Sequence, residues 1–397
     1  MRISTVFSAG RRFGFVAIVM ALLMLVQSCE TPEKVLKSND VDYKLKKATY
    51  WYNKKEYFKC IPLFEELMGV MKGRSSTEDI YYMYCMANYR QGDFMISAYH
   101  FKNFTNLYPL SPKAEECSFM HGKSNERLSP KYELDQTYTY KAIDAYQEFI
   151  NSYPESARVD SANRLIMKLR KKLEKKAMVN AELYYKTQNY RAAATCFENL
   201  LVQYPDIDNV ERILFMVVKS NHKFAENSIV TKKVERYHNV INAYNIFRYK
   251  YPQSQYDAEV KSYATDAHFK AVTSAYEHAE ASFPWEKEGY FNLAIKEAER
   301  QKEFIADPKS QKKVQQIIEK SYYGIVRNNF EQAEEFDTDS LRKVTKKIEL
   351  YDRTVKSYYN FVDKYKDSRY IREAERLYTT STEKIAKFKN DGQKQKN

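Results

Sequence analysis

"YQEFINSYPES", residues 146–156, decides the fold because the chain says it several times. FKNFTNLYPLS (101–111), FENLLVQYPDI (197–207) and YNIFRYKYPQS (244–254) follow the same plan. Aligned on Tyr-Pro, each has an aromatic residue seven places before the tyrosine and Phe or Leu four places before it. Eleven places before it stand Ser97, Ala142, Ala193 and Val240. A copy without the proline, YYNFVDKYKDS, lies at 358–368, and a diverged one, CIPLFEELM, at 60–68. Residues at i, i+4 and i+7 share one helix face, so the small residue, the aromatic and the Phe or Leu form a packing stripe. Proline then stops the helix, since it has no amide and disfavours helical geometry in the residue before it. Ser111, Ser156, Ser254 and Ser368 are expected to cap the next helix, Ser254 in a capping box with Asp257.

The pattern A-x3-F-x2-[FL]-x3-Y-P resembles the second helix of a tetratricopeptide repeat. Matching first helices are read at ATYWYNKKEY (48–57), CMANYRQGDF (85–94) and AELYYKTQNY (181–190), and Gly92-Asp93-Phe94 is similar to the family's inter-helix turn. The expected fold is all-α, a tetratricopeptide-repeat-like α-solenoid of about five to six helix pairs with a helical insert. Successive small positions are 37, 45, 51, 47 and 114 residues apart, so helices or loops are longer than in a minimal repeat. NERLSPKYELDQTYTYKAIDAY, broken by Pro130, is expected to hold an extended loop. The expected organisation is residues 41–265 as repeats, 266–345 as a helical insert interrupted at Phe283-Pro284 and Asp307-Pro308, 346–383 as a C-terminal repeat, and 384–397 as a basic disordered tail.

Composition agrees with aromatic-packed helices: 35 Tyr and 22 Phe stand against 9 Gly and 10 Pro, with 29% charged residues. At the N-terminus, Arg11-Arg12 precede a largely apolar run from Phe13 to Val26, the layout of a secretory signal and too short to span a bilayer comfortably. Val26-Gln27-Ser28-Cys29 resembles the bacterial lipobox, which implies cleavage before Cys29, a signal peptide at 1–28, covalent lipid on Cys29 and an anchor-and-linker segment at 29–40. Several acyl chains hold a protein at a membrane stably. Loss of Arg2, Arg11 and Arg12 takes the formal charge from +13 to about +10, suited to acidic partners or anionic head groups. An exported, tethered chain would seldom meet nucleic acid, so none is expected.

Reactive constellations are missing from the sequence. Its six histidines (100, 121, 222, 238, 268, 278) show no H-E-x-x-H and no i, i+4 pair, and no metal or other cofactor is expected. GVMKGRSS (69–76) has the wrong spacing and arginine in place of lysine for a phosphate loop, and no G-x-S-x-G occurs, so no catalytic residue is expected. Cys60, Cys85 and Cys196 fall at small positions of the repeats and read as buried hydrophobes, although a Cys60–Cys85 bond stays open. What remains is a binding scaffold. First-helix residues outside the stripe, Tyr82, Met86, Tyr89 and Arg90 with Tyr52 and Asn53 of the first repeat, would suit an extended peptide.

A lipobox, a short polar segment and repeats closing on Y-P-x-S resemble the BamD (ComL) family of outer-membrane assembly lipoproteins. SPKYELDQTYTYKAIDAYQEFINSYPES (129–156) carries the most specific match, since family members have a similar loop and LDQ-x-[YF]-T segment there. The resemblance covers about 29–260 and again 346–380. It implies a non-enzymatic component of the β-barrel assembly (BAM) complex on the periplasmic face of the outer membrane. Its N-terminal repeats would receive unfolded outer-membrane proteins at the Tyr52, Tyr82, Tyr89 and Arg90 face. Its C-terminal helices would dock a BamA-like β-barrel subunit, with Tyr358, Arg369 and Arg372 as docking residues. The rival readings are a SusD-like glycan-binding lipoprotein, whose sugars would stack on exposed Trp or Tyr, and a periplasmic adaptor for envelope synthesis built on similar repeats.

Overall fold

A computed structural model of the chain describes residues 31–74, 76–337 and 341–394. All regular structure among them is helical. In chain order the helices are α1 (Pro32–Leu36), α2 (Val41–Asn53), α3 (Tyr57–Val70), α4 (Ser76–Gln91), α5 (Phe94–Leu107), α6 (Ala114–Leu128), α7 (Thr137–Ser152) and α8 (Val159–Lys186). They continue as α9 (Tyr190–Gln203), α10 (Val210–Glu226), α11 (Val230–Lys250), α12 (Asp257–Ala281), α13 (Pro284–Gln301), α14 (Pro308–Glu335), α15 (Leu341–Lys364) and α16 (Ile371–Lys394). Two compact units divide between Lys176 and Ala177, inside α8.

The Tyr-Pro phrase ends its helices as the chemistry requires. Tyr108, Tyr153, Tyr204 and Tyr251 are the C-caps of α5, α7, α9 and α11. Each donates its amide to the carbonyl four residues back at 2.8–2.9 Å, and the proline after it has no amide to continue the ladder. The stripe is the core. Cys60, Ser97, Ala142, Ala193, Val240 and Thr354, all at the small position, are fully buried, as are Phe64, Phe101, Tyr146 and Phe197 four residues after the first four of them. A glycine serves the same packing from the facing helix: a Cβ on Gly122 of α6 would stand 2.6 Å from the ring of Tyr146, so only glycine admits that ring.

The serines after Tyr-Pro do a different job from the one expected. The N-cap of α12 is Tyr256, and Ser254 accepts a bond from the Tyr256 amide at 2.9 Å, so no capping box with Asp257 forms. Ser111, Ser156 and Ser368 likewise accept from the amide two residues on. Three of them then reach a glutamate on the preceding first helix: Ser111 to Glu78, Ser156 to Glu115 at 2.6 Å and Ser368 to Glu319 at 2.5 Å. An hydroxyl both shapes the turn and ties it to its own repeat, which a cap alone would not do. Between the paired helices, Lys55, Gly92 and Gln188 take the same left-handed conformation, with φ of 62°, 100° and 64°. Gly92 meets that demand without the strain the other two carry.

The loop before α7 is pinned by Gln136, which is 4% exposed. Its amide donates to the carbonyls of Lys131 and Leu134 at 2.8 and 2.9 Å, while its oxygen accepts from Thr139 at 2.7 Å.

Residues 266–345 begin inside α12 and end inside α15, so they continue the run of helix pairs. Pro284 and Pro308 stand at the starts of α13 and α14, where a missing amide is harmless, and Asp307 caps α14 by accepting from the Ser310 amide at 2.8 Å. The tail expected to be disordered from 384 is helical as far as Lys394. Ile385 and Phe388 extend the α16 stripe beyond Leu377 and Ser381 and pack against Leu350 and Tyr351, which holds the polar sequence in a helix. Residues 32–36 of the expected linker form α1, whose Val35 is fully buried.

Candidate functional site

The expected peptide face lies in the first unit, on α2, α4 and α6. Tyr82 of α4 donates from its hydroxyl to Glu116 Oε2 of α6 at 2.8 Å, and Lys113 Nζ sits 5.5 Å over its ring. Burial, reinforced by the Glu116 carboxylate, keeps this phenol protonated far above its usual range. Tyr52 of α2 is half-buried, edge-on to Tyr57 and Phe64 with ring centroids at 5.9 and 6.1 Å. Its phenol is raised by burial and by Tyr57, with Arg90 opposing and Glu116 adding, so the charges of α4 and α6 meet at this ring. Asn53 and Arg90 are exposed beside it. Tyr89 is half-buried, edge-on to Phe94 at 5.4 Å, and is hydrogen-bonded by Arg127. Glu115 and Glu116 are in turn paired with Arg158 at 3.2 and 3.8 Å.

Five of the six expected residues therefore share a partly open polar-aromatic surface, and the sixth does not. Met86 is 8% exposed and belongs to the core. Helix α4 buries most of its circumference, against α3, α5 and the Cys117 and Met120 side chains of α6, so the row at i+4 from Tyr82 is already taken. Glu116, Lys113, Arg127 and Arg158 were missed; the run Lys113-Ala114-Glu115-Glu116 directly after a Tyr-Pro turn is a sequence signal for the first two, and it does not reach Arg127 or Arg158. The face offers hydroxyl and guanidinium donors, carboxylate acceptors and ring edges, which suits an extended polypeptide with exposed amides.

The docking residues do not form one cluster. Tyr358 of α15 stacks on Tyr378 of α16 with centroids at 4.5 Å, and Tyr359 hydrogen-bonds Tyr378 hydroxyl to hydroxyl at 3.0 Å. Arg369 lies in the turn, 4.7 Å over Tyr370, whose ring stacks on Tyr323 at 4.6 Å. Arg372 is exposed on the first turn of α16. Cys29 lies outside the described residues. Trp51 is 4% exposed and unable to face a sugar, whereas Trp285 is 71% exposed and stacked on Phe283 at 4.8 Å.

Cys60, Cys85, Cys117 and Cys196 are free thiols, the first three buried. Burial pushes Cys60 and Cys117 up to about 12, so neither supplies a thiolate at neutral pH. Among the described residues one cluster offers metal-ligand chemistry: His222, Glu226 and Asp266 in the second unit, with candidate ligand atoms within 4.8 Å of one another. Lysines already hold its carboxylates. Lys270 donates to Glu226 at 2.9 Å and lies 3.3 Å from Asp266, Lys223 donates to Glu226 at 2.8 Å, and His222 Nε2 donates to Asp266 at 2.6 Å. A cation would have to displace Lys270.

That network gives a pH-dependent stability. Burial raises the Glu226 carboxyl, but hydrogen bonds from Lys223 and Lys270 and the nearby His222 outweigh it and hold the group at about 2. A depressed carboxylate contributes stability above its unfolded value of about 4.5 and loses it as pH falls through the folded value. With Glu226 partly solvent-screened, Glu226→Gln is expected to cost about 1 kcal/mol in denaturant melts at pH 7. The gap between the two proteins should close as pH drops from about 4.5 towards 2. A gap unchanged over that window contradicts the assignment.

The YfiO family model, described as outer membrane lipoprotein, matches residues 39–237, which include every residue of the first-unit face. An outer membrane protein assembly factor BamD of Aquifex aeolicus is 21% identical over 213 residues, 53% of this chain and 70% of its own length. Among solved structures, the TPR2AB domain of yeast Sti1 in complex with pHSP90 is 11% identical, covering 71% of this chain and 98% of that one at a TM-score of 0.28. A tetratricopeptide repeat protein from Parabacteroides merdae is 11% identical, covering 85% and 98% at a TM-score of 0.24. No helix of the described residues is long and apolar enough to cross a membrane.

Proposed function

The chain belongs to the YfiO family of outer membrane lipoproteins, and from that premise we propose that it is a non-enzymatic component of an outer-membrane β-barrel assembly complex. It scaffolds a BamA-like barrel subunit and receives unfolded outer-membrane proteins, held at the periplasmic face by acyl chains on Cys29. The observation that carries the reading is the Tyr52–Tyr82–Glu116–Arg90 face lying inside the matched residues 39–237. The assembly factor named for the Aquifex aeolicus relative supports the same reading. Mechanistically, the face needs no cofactor. An extended chain leaves its amides unpaired, and a surface offering both hydroxyl donors and carboxylate acceptors satisfies them reversibly without imposing a sequence. Ring edges of Tyr52 and Tyr89 take alternate apolar side chains. Release into the membrane then follows the folding free energy of the barrel itself. Contacts to the barrel subunit are assigned to α15, α16 and the turn between them, where Tyr358, Arg372 and Arg369 stand.

A mild-detergent pull-down from the native envelope on a C-terminal tag tests this, read by mass spectrometry. The expected result is a large β-barrel protein with periplasmic repeat domains. Recovery of a transporter of the TonB-dependent kind alone would replace the reading with glycan binding, and cell-wall enzymes would replace it with an envelope adaptor.

A further inference from the structure

The residues beyond the family match hold a cavity of about 530 Å³ enclosed by α11, α12 and the C-terminal end of α13. Every residue lining it follows residue 237. Its lining is lopsided in charge: Arg248, Lys261 and Arg300 contribute three cations, and no aspartate or glutamate lines it. Arg248 is aimed by a hydrogen bond to the Tyr244 hydroxyl at 3.0 Å. Lys261 and Arg300 form no salt bridge among the described residues; Glu297 and Asp257 act on Arg300 and Arg248 through space but stand outside the lining, so the lining itself stays positive.

The cavity wall is built rather than incidental. Gln301, 3% exposed, has its oxygen 2.6 Å from His268 Nδ1 and donates its amide to Glu297 at 2.7 Å. His238 donates to the same carboxylate at 2.6 Å, so the hydrogen bonds of Glu297 are made within the wall. The His268 ring stacks on Phe304 at 4.8 Å, giving a flat apolar wall beside the charged groups. Cavities of ~300–1,000 Å³ that combine apolar walls with a few fixed polar groups are the usual size for small-molecule sites.

We propose that this cavity binds a small organic anion, its phosphate or carboxylate held by Arg248, Lys261 and Arg300 and its apolar part against Phe304. The site is independent of the peptide face and of barrel assembly. The anion comes either from a soluble molecule or from a lipid headgroup, and the chemistry of recognition is the same.

Calorimetric titration of the detergent-solubilised full chain with phenyl phosphate, against neutral benzamide at matched ionic strength, tests the proposal. Saturable binding of phenyl phosphate with Kd at or below about 1 mM and none of benzamide is expected. Lys261→Gln and Arg300→Gln should each weaken it about tenfold, while Lys346→Gln, on α15 and remote from the cavity in sequence, should leave it unchanged. Circular dichroism of each variant confirms folding. Vesicles of phosphatidylcholine with and without phosphatidylglycerol form the second arm: extra binding to the anionic vesicles that phenyl phosphate competes away and Lys261→Gln weakens to a similar degree supports the site and identifies a headgroup. No saturable phenyl phosphate binding, or binding that both cavity variants leave intact, overturns the proposal.

Discussion

Replacing Tyr146 by alanine is expected to destabilise the first unit by about 3–5 kcal/mol, the range for deleting a large buried aromatic side chain. Tyr146 of α7 is fully buried against α6. Its ring lies 5.6 Å from Phe119, rests on the bare backbone of Gly122, and its hydroxyl donates to Glu126 Oε2 at 3.1 Å. Truncation leaves a ring-sized void beside a glycine that cannot fill it, and removes a partner from a half-buried carboxylate. Tyr146→Phe keeps the ring and gives up only the hydroxyl, so it should cost about 1 kcal/mol. Denaturant melts followed by a probe within residues 31–176 separate these outcomes, since two units need not unfold together. An alanine variant within about 1 kcal/mol of the parent would show that the stripe is not the source of repeat stability.

Cys29→Ala is expected to move the protein almost entirely from the membrane to the soluble fraction of the envelope. One acyl chain gives only marginal binding, of order 10⁴ M⁻¹, and stable anchoring requires at least two signals. No described helix can substitute as a membrane span. Fractionation and immunoblotting of the variant, with metabolic labelling by a fatty-acid analogue, check both halves. Label on the parent and none on the variant is predicted. Retention of the variant at parental levels in the membrane pellet would mean that protein contacts, not lipid, hold the chain there.

The repeats were legible because their chemistry is local. Tyr-Pro ends a helix through one missing amide, and a small residue eleven places earlier fixes which face is buried, so both can be read without knowing any partner helix. The serines after Tyr-Pro were legible as turn residues but not as tethers, because Glu78, Glu115 and Glu319 lie 33, 41 and 49 residues away. Met86 was misread for a related reason. One hydrophobic stripe describes an outer helix, but α4 packs on more than one side, and nothing in its own sequence says how many neighbours it has. The helices between residues 266 and 345 looked like an insert because α13 ends without Tyr-Pro, in a short 3-10 turn at Lys302–Phe304 with Ile305 buried behind it. The cavity proposed to take an anion escaped notice because its cations come from three helices, spaced 13 and 39 residues apart at Arg248, Lys261 and Arg300.

The central claim is that unfolded outer-membrane chains lie on the first-helix face of the N-terminal repeats. Site-specific photocrosslinking in the living envelope tests it directly, with the photoreactive residue at exposed Asn53 or Arg90, and at Tyr249, 89% exposed on second helix α11, as the comparison. Adducts with outer-membrane β-barrel proteins are predicted at 53 and 90 and not at 249. Their absence at 53 and 90, or equal yields at 249, would contradict the account.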